Sequence, residues 1–501
     1  MPNRWITACV VLGCALFLYL ETFVLPNTPR AATGDQSIYL FDAARMLDGQ
    51  VIYRDLDHFT LPGTSALYLV LFKIFGVKAW IPQAMLVLVG TLTAWLSMEI
   101  SAKLVQGISA YLPGLLFLTM PFSSYLDATH HWYSTAAATG ALTVLMERRT
   151  SLRLACAGVL WGVATCFTQS LVLGPIGLAV YLMWEGKRCQ EPRIVVLWKE
   201  GALWSGYAAT VLGFNAYFVW RAGFQAFVYN TVVFATKYYS QDDFNTWRAY
   251  MSSRPPIHGW TNWPEWPAWG LVHLLLPLAY ILLFVRYGRE AQRQREVAWE
   301  RLMLVNTAGL SMLLSVASAP AFNRLFAVSL PALILLVWFL DSPGKAERVL
   351  WHALWATVIV LAVIKPLVTQ TQWKGSLNLP TGQTVFFSAP SYDKTKWLRE
   401  RTRPSDYFFG DQFEGFALRL RNPARIDFVR PTDYTRPEQV ADLVGGLEEH
   451  QVRFVSWYAG LDNESRGSAG DHLAALREEL RERYRVAARF ANDDTIWERR
   501  F

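Results

Sequence analysis

The chain has 501 residues, of which 53% are hydrophobic and only 17% charged, and its mean hydropathy is +0.19. Its apolar residues gather into runs long enough to span a bilayer, which describes a membrane protein with a soluble part. The net charge of +7 would suit nucleic acid, but the basic residues sit largely in short connections between apolar runs. The positive-inside rule places them there, and nucleic-acid binding has little support. Cys9, Cys14, Cys156, Cys166 and Cys189 lie in apolar runs or in one short basic loop. They form no CxxC pair, so neither a disulfide framework nor a metal spacing is indicated.

Residues 1–4 make a short basic start and 5–25 an apolar run. A cleaved signal peptide competes with an uncleaved first span here. The apolar core is long and the following NTPRAATG lacks a small-x-small site, so an uncleaved span is the reading. Arg4 then stays in the cytoplasm, and the loop 26–63 emerges outside.

That loop contains GDQSIYLFDAARMLDGQVIYRDLDHFTLPG, with Asp35, Asp42, Arg45, Asp48, Arg54, Asp55, Asp57 and His58 close together. Lipid would expel such a cluster. Its interior reads as a short helix: Asp35 can cap it, Leu40, Ala43, Ala44 and Leu47 share a face, and Gly49 suits a left-handed C-terminal residue. Such an amphipathic helix is expected to lie flat on the membrane surface with its acids facing water. Residues 64–75 are apolar but short, entering the membrane halfway or lying against it.

Further spans follow at 80–103, 106–121, 133–147, 152–170, 171–185, 197–220, 268–286, 302–320, 324–340 and 348–368, giving eleven with the first. Counting from a cytoplasmic N-terminus puts the basic loops at 147–149, 187–188, 286–301 and 345–348 inside, as charge requires. Within 152–185, Gln169, Ser170, Gly174 and Pro175 mark either a tight turn or a broken helix. The same parity puts the first loop, the turn 127–133, the long loop 221–267 and residues 321–324 on the outer face.

Residues 369–501 have frequent charges and no long apolar run, which reads as a soluble extracytoplasmic α/β domain. Strands are expected at 384–388, 406–409, 425–429 and 453–458, helices at 392–401, 437–450 and 471–483, and a closing hairpin from 484–490 and 495–499. No GxGxxG or P-loop occurs, so a nucleotide role has no support.

Asp35, Tyr39, Ala43, Leu47, Gly49, Tyr53, Asp55 and Pro62 together resemble the first loop of the GT-C glycosyltransferases, and the nearest subgroup resembles the bacterial Rgt and aminoarabinose-transferase kind. The resemblance implies a polytopic α-helical transmembrane domain over 1–368 with an extracytoplasmic appendage. It also implies transfer of a sugar, with inversion, from a polyprenyl-phosphate donor to a hydroxyl of a glycolipid, polysaccharide or protein at the outer face of the inner membrane. No cofactor is required by such enzymes, and a divalent metal stays open. The segment RLFAVSLPALILL, opened by Arg324, resembles the family's late-span motif, in which an Arg meets the carrier phosphate; the family commonly has a His or an aromatic beside it, where this chain has Asn323 and Leu325.

Transfer to a hydroxyl needs a base for the acceptor proton and cations for the departing phosphate. Asp35 is the candidate base, with helix capping as the structural alternative. Asp55 matches the family's Tyr-x-Asp position as a second acid, whereas Asp57 reads better as a solvated loop residue. His130 and His131 are candidates for holding phosphate or sugar and Asp127 is an acceptor or second-acid candidate, with a metal site of all three or an interfacial turn as alternatives. Arg324 can grip a phosphate in two-pronged fashion or snorkel to headgroups. Lys237 and Arg221 are further cations. The aromatics of 221–267, Trp247, Trp260, Trp263 and Trp266 among them, suit an interface belt, with a few left for an acceptor platform. A lipid-linked-sugar transporter or flippase is the rival reading, and a non-catalytic sugar receptor the third.

Overall fold

Residues 4–255, 265–290, 298–341, 344–462 and 470–500 are described in a computed structural model. Trp260 and Trp263 lie outside them. The chain divides into two compact units.

The first unit comprises Met1–Thr22, Ala84–Asn215 and Trp247–Gln370 and is helical. Arg4–Thr22, Trp80–Ser101, Glu265–Glu290 and Lys345–Thr371 are each long and apolar enough to cross a membrane, so the protein is a multi-pass membrane protein. Helices also occupy the other stretches read as spans, among them His130–Leu145, Ser151–Phe167, Leu173–Arg188, Arg193–Ala222 and Trp299–Val316. The break within 152–185 is a short 3-10 turn, Gln169–Val172, between two separate helices. A second break falls at Val328 and Ser329, between Phe322–Ala327 and Leu330–Leu340. Small residues allow one close helix crossing. A side chain at Gly158 would run into the Leu203 carbonyl and one at Gly206 into the Ala155 carbonyl, so two helix backbones approach where only glycine fits.

The second unit comprises Phe23–Gln83, Ala216–Thr246 and Thr371–Phe501. Its sheet runs in the order Phe408–Phe409, Phe454–Tyr458, Asp494–Arg499, Tyr484–Arg489. The first pair is parallel and the others antiparallel. Pro437–Glu449 and Ala474–Arg483 cover the sheet through Val440, Leu443, Leu447, Leu476 and Leu480, which pack with Val455 and Trp457 into the core. The closing hairpin, the strand at 453–458 and the helix at 437–450 fall where periodicity puts them. A further hairpin, Gly375–Leu379 with Gly382–Phe386, includes a strand that periodicity misses.

Three expectations fail. Residues 425–429 form no strand. The Asn422 side chain accepts from Ala424 N at 3.0 Å and donates to the Ile426 carbonyl at 2.8 Å, and such local bonds compete with a ladder. The first-loop helix, Asp35–Leu47, does form, with Gly49 at φ 100, but it does not lie on a surface with its acids in water. Gln36, Ser37, Tyr39, Leu40, Phe41, Asp42, Ala43, Ala44 and Arg45 are all buried, because Gly63–Phe75 and Gln412–Ala417 pack around it. A Cβ at Gly415 would stand 2.8 Å from the Phe41 ring, which is the close approach glycine permits. Nor does Asp35 cap the helix. Gly34, at φ 61, is the cap and Asp35 is the first helical residue, where its charge complements the helix dipole.

Candidate active site

Asp35, Tyr39 and Asp42 fall one turn apart along a single face of the first-loop helix. Asp35, partly buried, opens into a cleft of about 1190 Å³ whose walls also include Gln241, Asp242, Arg430, Tyr458 and Lys394. Arg430 Nε stands 3.6 Å from Asp242 Oδ2. Lys394 is surrounded by Asp494 at 2.8 Å and by Asp411 and Glu414 at 3.6 Å. Although burial works against it, these carboxylates hold the ammonium above its usual range. Burial pushes the Glu414 carboxyl up to about 8, against the pull of Lys394. Burial also keeps the Tyr39 and Tyr434 phenols protonated well above their ordinary range, and the Asp35 carboxylate pushes both the same way.

The face of the helix below Asp35 meets the segment His58–Thr60. His58 Nδ1 lies 2.8 Å from Asp42 Oδ2, and both side chains are buried. His58 Nε2 lies 2.6 Å from Thr60 Oγ1, which is 3.4 Å from the Tyr39 hydroxyl. Tyr53 donates to the Thr60 carbonyl at 2.7 Å. On the adjoining side Arg45 donates to Asp427, to the Ala424 carbonyl at 2.7 Å and to Gln50 at 2.7 Å. Burial raises the Asp427 carboxyl well above the carboxylate range; Asp42, despite its own burial, is held low by His58. Sequence reading saw Asp42, Arg45 and His58 only as members of a polar loop, and Asp427 not at all. The one available signal was the number of charges packed between apolar runs.

Asp55 accepts from Arg54 at 2.8 and 2.9 Å and from Val51 N at 2.8 Å, and Asp57 pairs with Arg425 at 2.9 Å. Lys237 is exposed, with its ammonium 5.2 Å from the Tyr238 ring centre. Neither Asp55 nor Lys237 lines the Asp35 cleft. In the helical unit, Asp127 is buried and accepts from the Tyr125 hydroxyl at 2.7 Å. The His130 and His131 rings lie 3.9 Å apart, and Arg324 is within electrostatic reach of His131. Arg324 donates to the Ala319 carbonyl at 2.8 Å. The 127–131 turn and Arg324 are therefore neighbours. Asp127, His130 and His131 do not converge as metal ligands, and no group of three such side chains does among the described residues.

No family model matches the chain, and no curated protein matches it. Solved structures do. ArnT from Cupriavidus metallidurans bound to undecaprenyl phosphate superposes with a TM-score of 0.60 at 12% identity, over 99% of this chain and 98% of that one. The fold is GT-C-like. The apo form of the same ArnT gives 0.60 at 14% identity, over 99% and 98%. The archaeal oligosaccharyltransferase AglB from Archaeoglobus fulgidus, in complex with an inhibitory peptide and a dolichol-phosphate, gives 0.53 at 11% identity, over 98% of this chain and 74% of that one. At these identities the GT-C-like likeness is one of fold.

Proposed function

We propose that this protein is a glycosyltransferase that moves a sugar from a polyprenyl-phosphate donor to a hydroxyl of a cell-envelope acceptor. The observation carrying the reading is the position of Asp35, the first residue of a buried helix, presented to a large cleft on a fold shared with a protein solved with undecaprenyl phosphate. In this reading Asp35 takes the acceptor proton while the hydroxyl oxygen attacks the anomeric carbon and the carrier phosphate departs, with inversion. Arg324, His130 and His131 grip the phosphate, Asp127 orients the turn that bears the histidines, Lys237 adds positive charge at the outer face, and Asp55 holds the first loop through Arg54. Eleven spans with the N-terminus inside the inner membrane, and residues 369–501 outside it, complete the proposal.

A flippase of the carrier lipid has one observation behind it. Lys365 is buried in the last long helix and donates to Ser123 at 2.7 Å and Ser124 at 3.0 Å, and ionisable groups within spans often mark transport paths. Lys365 stands near the end of Lys345–Thr371 rather than at its middle, which suits an interfacial role better. Sugar transfer in membranes supplied with radiolabelled polyprenyl-phosphate sugars separates the readings. Asp35→Asn is expected to lose about a hundredfold or more of the rate. Full transfer by that variant overturns the base, and absence of transfer by the wild type with every pool favours the flippase.

A further inference from the structure

We propose that His58 and Thr60 are positioning residues for Asp35, an inference that rests on the transferase reading and names the device that would aim its base. Asp35, Tyr39 and Asp42 share one helix face, and the segment carrying His58 and Thr60 runs along it. His58 is the link between the two ends of that segment's grip. Its Nδ1 faces Asp42 at 2.8 Å, its Nε2 faces Thr60 at 2.6 Å, and its ring meets Tyr39 edge-on with centres 5.3 Å apart. Thr60 reaches back at 3.4 Å to the Tyr39 hydroxyl, one turn from Asp35 on the same face. Rotation of the helix about its axis, which would swing Asp35 along the cleft wall, has to break these contacts together.

Packing alone does not call for this arrangement. Asp42 is fully buried, and the polar groups it meets there are the His58 ring and the Asp427 carboxyl. A buried ionisable cluster of this kind carries a desolvation cost that apolar side chains of the same volume would avoid. Directional contacts fix rotation in a way that non-directional apolar packing does not. Phe59, between the two positioning residues, lies tilted against Tyr239 at 4.7 Å and meets Tyr434 edge-on at 6.2 Å, so the clamp is itself anchored to other stretches of the same unit.

The test uses the full chain in lipid nanodiscs with Thr60→Val, Thr60→Ser, His58→Asn and Asp35→Asn. Thr60→Val keeps the shape and removes the hydroxyl; Thr60→Ser restores it. Hydrogen exchange of the backbone amides of residues 34–41 is expected to speed up about tenfold in Thr60→Val and His58→Asn, with Pro437–Glu449 unchanged, and to return to the wild-type rate in Thr60→Ser. Sugar transfer is expected to fall about tenfold in kcat with KM unchanged in the first two variants, and to recover in Thr60→Ser. Unaltered exchange at 34–41, or acceleration spread evenly over the unit, overturns the proposal, because a purely structural role predicts the latter. A wild type inactive with every donor removes the transferase reading, while the exchange measurement still decides whether His58 and Thr60 hold the helix.

Discussion

His58 Nδ1 sits 2.8 Å from Asp42 Oδ2 with both side chains shut away from solvent, in a loop whose charges led us to expect a water-facing helix. The contact explains the discrepancy. Asp42 is kept inside the second unit by the His58 ring against it, and beside them Arg45 pairs with Asp427.

Arg45→Met is expected to lower unfolding stability by about 2–3 kcal/mol, since it removes one buried donor to Asp427 and leaves the Ala424 carbonyl without the Arg45 donor. Arg54→Ala, which removes the exposed partner of Asp55, should cost far less, because solvent screens that pair. Denaturant titration of the detergent-solubilised protein checks both, and equal losses would contradict the burial argument.

Glu414 provides a dependence on pH. Its native carboxyl titrates at about 8 against an ordinary 4.5, so the folded chain retains a proton that the unfolded chain releases. The wild type therefore loses stability as pH rises from about 4.5 to about 8, and Glu414→Gln lacks that loss. The difference in thermal midpoint, variant minus wild type, is expected to grow across this window and to be flat below it. A difference independent of pH would mean that Lys394 keeps Glu414 ionised throughout.

Gly446→Ala is expected to destabilise the second unit by about 1–3 kcal/mol. A Cβ there would run into the Pro423 carbonyl, a backbone group held by the turn that Asn422 braces, so neither side can give way cheaply. Gly445→Ala, where the added carbon meets nothing, should instead be neutral or stabilising by a few tenths of a kcal/mol. Thermal unfolding of the pair measures the contrast.

Arg324→Lys and Arg324→Ala should both weaken binding of undecaprenyl phosphate to the purified protein, the lysine variant by about tenfold, because a point charge cannot reproduce a two-pronged grip. Retention of full affinity by Arg324→Ala would assign that side chain to its contact with the Ala319 carbonyl alone.

The features legible in the sequence are those written in local periodicity. Apolar runs of bilayer length gave the membrane helices, a 3.6-residue pattern ending at Gly49 gave the first-loop helix, and alternation across 484–499 gave the closing hairpin. Residues 425–429 show where local propensity misleads: Ile426, Phe428 and Val429 favour a strand, yet the Asn422 side chain takes the Ile426 carbonyl, a backbone group that a ladder would use. Asp35 was singled out by its place in a motif, and the cleft it faces was not.

Which charges would be buried could not be read from the chain, because Arg45 and Asp427 are separated by 382 positions and meet only once the second unit has folded. A charge carries no mark of its partner in its sequence neighbours, and its protonation depends on the dielectric and the donors that folding assembles around it. Hydropathy by itself therefore determined that this protein lives in a membrane and carries a polar first loop. Tertiary structure alone decided that Asp42 turns inward, that His58 stands against it, and that Asp35 faces a cleft.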